Sequence, residues 1–291
     1  MDIGFAGAGR MGRPMVKNLA ARGHVVSVFD PWVDSTTAFG NERVRAVRSA
    51  AELAPLPLSI SMLPDADTTA DLLTGSGGLY AAARPGHCHI AMGTTGPRAA
   101  RDLAAAAEKA GIDFADAPVS GSVSAAESGA ITTMVGSSPE VFERVRPVLA
   151  AMTAAQFHVG PIGSGAAAKL AVNLVIGSLN QAVAEAILLG EAAGLEPAAL
   201  YDVLERSAAG SPFVRAKRAA FLTPDTTPVA APVSLLAKDL RLILALADEC
   251  GHSLPGTSVV GDLLEQACAA GDGDLDMAQI LRAVRRASHR A

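Results

Sequence analysis

The stretch DIGFAGAGRMGRPMVKNLAARGHVVSVFD, residues 2–30, decides the fold of the first half of the chain. A short apolar run leads into GAGRMG, whose glycines Gly7, Gly9 and Gly12 occupy the G-x-G-x-x-G positions, and a helical pattern follows. The next apolar run ends at Asp30, and an acid about 20 residues after the glycine turn belongs to the dinucleotide-binding pattern. The order of strand, glycine turn, helix, strand and acid is much more specific than the glycines alone.

Each residue type in the glycine turn has a physical role in holding a dinucleotide. Gly7 allows the tight turn, Gly9 lets the backbone approach a pyrophosphate, and Gly12 lets helix and strand pack closely. The amino terminus of the following helix offers N–H donors and a positive dipole to phosphates. We therefore predict that this turn, with Arg10 and Met11, binds a dinucleotide. The alternative is a glycine-rich turn that binds nothing.

Asp30 favours NAD over NADP as the cofactor. Its carboxylate can accept hydrogen bonds from the adenosine ribose hydroxyls and would repel a 2′-phosphate. The next residues, Pro31, Trp32, Val33 and Asp34, include no Arg or Lys that could hold that phosphate. NAD is the predicted cofactor and NADP is left open. The alternative role for Asp30 is to cap a turn.

Strand-like and helix-like segments alternate through the first half of the chain. This alternation predicts βαβ units and an α/β fold with a largely parallel, doubly wound sheet of the Rossmann type. The strand-like runs are residues 3–6, 25–29, 58–62, 88–92, 113–115, 132–135 and 157–159. The helix-like segments include residues 11–21, 97–110 and 139–152.

The second half of the chain is predicted to be all helical. One helical pattern without proline runs from residue 166 to residue 194, and no later stretch alternates as a strand does. We therefore predict a dinucleotide-binding domain at 1–162 and an all-helical substrate and dimerisation domain at 163–291, built around the long helix. The later helix-like stretches are residues 197–206, 232–250, 257–270 and 277–287.

Composition and charge exclude several classes of protein. The net charge of −5 gives no basic surface for nucleic acid. The chain starts without a basic, apolar leader, and polar residues such as Asn173 and Asn180 interrupt its most apolar stretch, so we predict neither secretion nor a membrane span. Its 3 cysteines lack a CxxC spacing and its 6 histidines are scattered, so we predict reduced thiols and no metal site. The expectation is a cytoplasmic protein.

Lys169 is the one Lys or Arg between Arg146 and Arg206. It lies near the start of the long helical pattern, in AAAKLAV, and Asn173 follows one helical turn later on the same face. A lysine in apolar surroundings either extends to solvent or is desolvated. Desolvation lowers the pKa of an ammonium group, which suits a proton shuttle near neutral pH. The residues alone leave both interpretations open.

Four segments in order resemble the β-hydroxyacid dehydrogenases: IGFAGAGRMGRPMVKNLAARGH, DAPVSGSVSAAESGAITTMVG, GSGAAAKLAVNLVIGS and KDL at 238–240. That family includes 3-hydroxyisobutyrate dehydrogenase, tartronate semialdehyde reductase and the glyoxylate/succinic semialdehyde reductases, and KLAVNLVIGSLNQAVAE is most similar to the last of these. The resemblance extends to GDGDLDMAQI near the end of the chain. It implies hydride transfer between a nicotinamide cofactor and a small 3-hydroxy acid or its semialdehyde.

The resemblance also implies roles for residues in the substrate site. Lys169 corresponds to the catalytic acid/base and Asn173 to its substrate-orienting neighbour. Ser120 and Gly121, within DAPVSG, correspond to residues that bind the substrate carboxylate. Ser122 stands where the family usually has a second glycine, so its side chain narrows the expected pocket. The implied partner is a small carboxylate substrate.

Further correspondences concern the cofactor. Leu63 and Pro64 match the loop that touches the cofactor, Thr94 matches the threonine beside the nicotinamide ribose, and Lys238 matches the lysine near the nicotinamide. Ala231 departs from the pattern, because relatives commonly carry a phenylalanine there. The smaller side chain of Ala231 would enlarge the substrate side of the site or weaken cofactor binding.

Two alternatives to this function remain open on the sequence. One is an imine reductase-like enzyme on the same scaffold, and the other is a non-catalytic NAD(P)-binding scaffold protein. Proteins of both kinds generally lack the lysine that this chain has as Lys169. The apolar long helix further predicts a homodimer or homotetramer. The acids Asp272, Asp274 and Asp276 are predicted to form a solvated turn.

Overall fold

A computed structural model describes residues 1–32 and 39–288 of the chain, arranged as two compact units. The first unit is Met1–Lys169 and the second is Leu170–Ala291. The long helix Ser164–Ala192 begins in the first unit and continues into the second. The first turns of this helix therefore group with the sheet, whereas the sequence places the domain division between residues 162 and 163.

The first unit is built on a nine-stranded sheet within the described residues. The sheet order is β3-β2-β1-β4-β5-β6-β8-β7, and β9 pairs with β8. Strands β1 to β6 are parallel, while β8 is antiparallel to β6 and β7. In chain order, β1 to β9 are Asp2–Ala6, Val25–Phe29, Val44–Ala46, Leu58–Ser61, Cys88–Ala91, Asp113–Asp116, Val119–Ser120, Ile131–Gly136 and Thr153–Gly160.

The central strands of the sheet are buried on both faces. Ala6 of β1 and Ser59 and Ser61 of β4 are buried on one face, and large apolar side chains are buried on the other. Ile3 and Phe5 of β1 and Ile60 of β4 are fully buried, as expected for parallel strands between helical layers. The predicted parallel, doubly wound sheet is confirmed. The helices of this unit, α1 to α6, are Gly12–Ala21, Ala66–Thr74, Leu79–Ala82, Pro97–Lys109, Val123–Glu127 and Pro139–Ala150.

The sequence analysis missed the short elements of this unit. Strands β3 and β7 contain 3 and 2 residues, too few for an alternating pattern. Helix α2 starts at a cap in which the Asp65 side chain accepts from the Thr68 amide at 2.8 Å. Such local capping is specified by one side chain and leaves little periodicity to detect.

The second unit is helical throughout its described residues, as predicted. Its core packs around fully buried Tyr201, Leu264 and Ile280. Helix α7 contributes Leu170 and Ile187 to this core. The helices, α7 to α12, are Ser164–Ala192, Pro197–Arg206, Pro212–Leu222, Val233–Glu249, Pro255–Ala269 and Ile280–Ser288.

Helix α7 is long and apolar enough to cross a membrane by length and composition, the one such helix among the described residues. Its buried amides nevertheless bond within the helical unit: Asn173 Nδ2 donates to Asp239 at 2.7 Å and Asn180 Nδ2 donates to the Met277 carbonyl at 2.8 Å. These contacts are typical of a helix in a folded core. Leu189 is 73% exposed on the same helix, and the homodimer or homotetramer stays a prediction.

The prediction of a solvated acidic turn is wrong for Asp272 and Asp276, which are both buried. Asp276 accepts from Lys217 Nζ at 2.7 and 2.9 Å, and it also accepts from the amides of Ala230 and Ala278. These bonds hold the pKa of Asp276 below its usual value although burial opposes the shift. A partner separated by 59 positions in sequence cannot be found from local composition.

A buried chain of hydrogen bonds joins β4 to β5. His87 Nδ1 lies 2.7 Å from the Leu56 carbonyl, which can only accept, so this nitrogen donates. The neutral ring then accepts from the Ser59 hydroxyl through Nε2 at 2.7 Å. Ser59 in turn accepts from His89 Nδ1 at 2.7 Å, and His89 Nε2 accepts from Ser61 at 3.0 Å. In this series of hydrogen bonds, every donor therefore points toward Leu56.

Acid should weaken the first unit through His89. Burial lowers the pKa of His89 from 6.5 to about 3, so the unfolded chain binds the proton first as pH falls below 6.5. The stabilisation is complete above pH 6.5 and is lost as pH falls toward 3. We expect the free energy of unfolding of wild type, relative to His89→Gln, to fall by about 1.4 kcal/mol per pH unit in this window.

Urea unfolding followed by circular dichroism between neutral pH and about pH 5 measures this difference. Comparison with the variant is needed because burial raises the pKa of Asp116, so its contribution has the opposite sign. Exposed His252 supplies the control variant His252→Gln, which should follow wild type. Parallel curves for wild type and His89→Gln would contradict the prediction.

Candidate dinucleotide and substrate site

The glycine turn adopts the geometry that its sequence predicts. Gly7 has φ +94°, and a Cβ on Gly7 would meet the Met62 carbonyl oxygen and the Leu63 side chain. A Cβ on Gly12 would meet the Gly7 carbonyl oxygen. Gly9, by contrast, is exposed and has nothing within 4 Å of its would-be Cβ. Two glycines are therefore required for folding, and the third leaves the backbone open on its outer side.

Asp30 ties the end of β2 to this turn. Its Oδ2 accepts from the Ala8 amide at 2.7 Å, and its Oδ1 accepts from the Trp32 amide at 2.8 Å. The turn-capping role is thus present, and each carboxylate oxygen retains accepting capacity for a further donor. Val33 and Asp34 lie outside the described residues.

The predicted cofactor residues lie along one edge of the sheet, at the carboxyl ends of neighbouring strands. Strand β4 lies between β1 and β5, so Leu63 and half-buried Thr94 follow adjacent strands. A Cβ on Gly93 would meet the Leu63 carbonyl oxygen, which places Leu63 between the Gly93 backbone and the Gly7 turn. Pro64 is exposed next to Leu63. This edge is the ligand edge of an open parallel sheet.

The start of helix α1 fits a phosphate-bearing cofactor. No side chain caps Met11, the N-cap residue, and the first turn contains no acidic residue. Arg10 is exposed next to Met11. A helix amino terminus with these properties attracts anions through its N–H groups and dipole.

The predicted carboxylate-binding segment lies at the end of the short strand β7. Ser120 pairs with Thr132 and is half-buried. Gly121 has φ +145°, and its Cβ would lie 2.7 Å from Ile131 Cγ2, so only glycine fits. Ser122 is exposed and caps helix α5, where its Oγ accepts from the Ala125 amide at 3.2 Å. The hydroxyl of Ser122 therefore has a local structural role.

Lys169 lies in the second turn of helix α7 and is half-buried. The residue that holds this end of the helix, Asp116, was missed by the sequence analysis. Asp116 Oδ1 accepts from the Gly163 amide and its Oδ2 from the Ala166 amide, both at 2.7 Å. The available signal was an acid at the end of an apolar strand, directly before the predicted substrate segment.

Asn173 and Lys238 belong to the second unit, where both contact Asp239. Buried Asp239 Oδ2 accepts from Asn173 Nδ2 at 2.7 Å, and Asp239 Oδ1 lies 3.3 Å from Lys238 Nζ without hydrogen-bond geometry. Asp239 is the middle residue of the KDL tripeptide at 238–240, and its contacts were not predicted. Asp239 joins the two predicted residues, so Asn173 can present its amide oxygen to a ligand while its nitrogen is held.

The fold and this edge define a nicotinamide-dinucleotide-binding α/β class with an added helical domain. Residues 2–160 match the family described as the NAD binding domain of 6-phosphogluconate dehydrogenase. Residues 163–284 match the family described as NAD-binding of NADP-dependent 3-hydroxyisobutyrate dehydrogenase. The chain belongs to the β-hydroxyacid dehydrogenase family.

Characterised relatives match almost end to end. The 3-hydroxyisobutyrate dehydrogenase of Pseudomonas aeruginosa is 35% identical, with 98% of each chain covered. The NAD-dependent L-serine dehydrogenase of the same organism is 34% identical, with 96% of each covered. The 2-(hydroxymethyl)glutarate dehydrogenase of Eubacterium barkeri is 33% identical over 97% of this chain and 94% of the relative.

Solved structures agree with the fold. The 3-hydroxyisobutyrate dehydrogenase of Salmonella typhimurium has a TM-score of 0.87 at 26% identity, covering 97% of this chain and 99% of that one. The Mycobacterium tuberculosis enzyme of the same name, solved with L-serine, has a TM-score of 0.82 at 32% identity, with 98% and 99% covered. An imine reductase from Myxococcus stipitatus, at 21% identity and a TM-score of 0.63, shares the fold alone.

Replacing Gly9 should weaken cofactor binding without weakening the fold. In Gly9→Ala the new methyl has free space in the protein but occupies the side where a pyrophosphate would approach. We expect the Kd for NADH to rise about tenfold or more, equivalent to about 1.4 kcal/mol, with an unchanged melting temperature. Energy transfer to NADH from Trp32, the one tryptophan of the chain and 92% exposed, can report binding.

Gly256→Ala is the matched control, because Gly256 is also exposed with nothing within 4 Å of a Cβ. This variant should bind NADH as wild type does. Equal NADH affinity in Gly9→Ala and wild type would exclude the glycine turn from the cofactor site.

Proposed function

We propose that this chain oxidises a small 3-hydroxy acid to its semialdehyde with NAD, or reduces the semialdehyde with NADH, using Lys169 as the general acid/base. The observation that carries the proposal is the placement of Lys169. It is half-buried near the start of a helix whose first turn is bonded to the carboxyl end of β6. Strand β6 neighbours β5, after which Thr94 follows.

The names of the relatives indicate the substrate class. 3-Hydroxyisobutyrate, L-serine and 2-(hydroxymethyl)glutarate all carry a hydroxymethyl group on the carbon next to a carboxylate. We propose that this chain uses a substrate with the same arrangement, a primary alcohol one carbon removed from the α-carbon. The other group on the α-carbon differs among the three.

Ser120 and Gly121 are proposed to bind the substrate carboxylate. The positive φ of Gly121 turns the backbone just beyond Ser120, so a hydroxyl and successive amides can point to one anion. Asn173 is proposed to orient the alcohol, because Asp239 holds its amide nitrogen. Each of these fixed polar groups would limit the orientation of a short substrate.

Lys169 is proposed to exchange the proton of the alcohol. The neutral amine accepts the hydroxyl proton at Nζ during oxidation, and the ammonium returns it to the carbonyl oxygen during reduction. Bound NAD would supply the hydride acceptor in the first direction. Lys238, one residue before Asp239, is proposed to lie near the nicotinamide.

NAD is proposed as the preferred cofactor. Asp30 is fixed by the Ala8 and Trp32 amides, so its charge cannot turn away from an adenosine ribose bound at this edge. A 2′-phosphate placed there would meet that charge, which is unfavourable. The second matched family is named for an NADP-dependent enzyme, so direct measurement of both cofactors is the test.

Lys169→Met should abolish most turnover while leaving cofactor binding intact. With 3-hydroxyisobutyrate and NAD, we expect kcat to fall by about 10²- to 10⁴-fold, the usual contribution of a general acid/base. Nicotinamide absorbance measures the rate, and Trp32 energy transfer measures NADH affinity. The control is Lys109→Met, since Lys109 is an exposed lysine at the end of α4. Unchanged turnover in Lys169→Met would refute the assigned role.

Asp30→Asn should reduce the preference for NAD. The amide oxygen can still accept from the Ala8 amide, but the negative charge is gone. We expect the ratio of NADP to NAD dissociation constants to fall about tenfold or more, because like-charge repulsion is removed. Asp2→Asn, at the exposed amino end of β1, is the control. Wild-type protein that binds NADP as tightly as NAD would contradict the NAD assignment.

A further inference from the structure

Asp116 is a carboxylate placed where solvent does not reach. It is the last residue of β6 and only 2% exposed. Each carboxylate oxygen accepts one backbone hydrogen bond: Oδ1 accepts from the Gly163 amide and Oδ2 accepts from the Ala166 amide, each at 2.7 Å. Gly163 directly precedes helix α7 and Ala166 lies in its first turn, 47 and 50 positions further along the chain than Asp116.

The surrounding backbone packs closely against this carboxylate. A Cβ on Gly136 would meet Asp116 Oδ1, and a Cβ on Gly165 would meet the Asp116 carbonyl oxygen. Both positions are glycine, so backbone can close around the acid from β8 and from the helix. Burial raises the pKa of Asp116 to about 6 against the effect of the amide bonds, and the site therefore carries an energetic cost at neutral pH. Shifted pKa values are concentrated at functional sites.

Two predicted functional segments meet at this residue. Three positions separate Ala166 from Lys169, so the two are neighbours on the helix surface. Along the chain from Asp116, Ala117 and Pro118 lead into strand β7, which ends at Ser120. We propose that Asp116 is a positioning residue that holds Lys169 at a fixed place relative to the Ser120–Gly121 segment. The inference rests on the proposed function of Lys169.

Asparagine is the informative replacement because it keeps the size of the side chain. Its carbonyl oxygen can accept one of the two helix amides, while its NH2 group faces the other N–H. The first turn of α7 should then shift, because the NH2 group of the asparagine and the helix N–H that faces it are both donors. A misplacement of about 1 Å can reduce a rate about 10²-fold.

The test compares Asp116→Asn with Asp113→Asn. Asp113 begins the same strand and forms an ion pair with Arg144 at 2.6 Å with its side chain 47% exposed, so its loss removes a carboxylate without touching α7. We expect kcat of Asp116→Asn to fall at least about tenfold at saturating substrate and NAD. The Kd for NADH should stay within about twofold of wild type, and Asp113→Asn should keep wild-type kcat.

The possible results separate the two proposals. A wild-type kcat in folded Asp116→Asn overturns the positioning role, and a parallel loss of kcat and NADH binding assigns Asp116 to general stability and overturns it as well. If Lys169→Met retains full turnover, the proposed function fails independently of Asp116. Asp116→Ser is the second variant, and failure of both Asn and Ser variants to fold would also overturn the inference.

Discussion

The hydrogen bond from the Ala8 amide to Asp30 Oδ2 organises the cofactor edge. It joins the loop after β1 to the end of β2 at 2.7 Å, while the absence of side chains at Gly7 and Gly12 lets helix α1 start directly against that loop. Leu63 then packs beside Gly7, and the Gly93 backbone packs beside Leu63. A Cβ on Gly7 would meet the Met62 carbonyl oxygen and the Leu63 side chain, and a Cβ on Gly12 would meet the Gly7 carbonyl oxygen.

On the other side of β5, Asp116 likewise accepts hydrogen bonds from the backbone of another chain segment. It bonds the end of β6 to the start of helix α7, so the lysine-bearing helix starts from the same edge of the sheet that carries the predicted cofactor residues. Two buried or half-buried acids thus connect separate chain segments to one edge. In both cases a carboxylate accepts backbone amides, which is among the stronger hydrogen bonds available to a protein.

Much of this arrangement could be predicted from local patterns. The glycine spacing, the strand and helix periodicity and the start of the long helix are properties of short windows, and each is present in the structure. The bonds of Asp116 to Gly163, of Asp239 to Asn173 and of Asp276 to Lys217 could not be predicted, because these partners are 47, 66 and 59 positions away. The hydrogen bonds that link Ser59 and Ser61 to His87 and His89 were missed for the same reason. Long-range polar pairs depend on the fold and leave no periodic signal.

The central claim is that the chain oxidises a primary alcohol placed next to the carboxylate-bearing carbon. The most direct measurement incubates the protein and NAD with 3-hydroxyisobutyrate and, separately, with its isomer 2-hydroxybutyrate, a secondary alcohol, and follows nicotinamide absorbance. The account predicts NADH formation with the 3-hydroxy acid and little with the isomer. Equal rates with both, or reduction of NAD by neither that acid nor L-serine nor 2-(hydroxymethyl)glutarate, would contradict it.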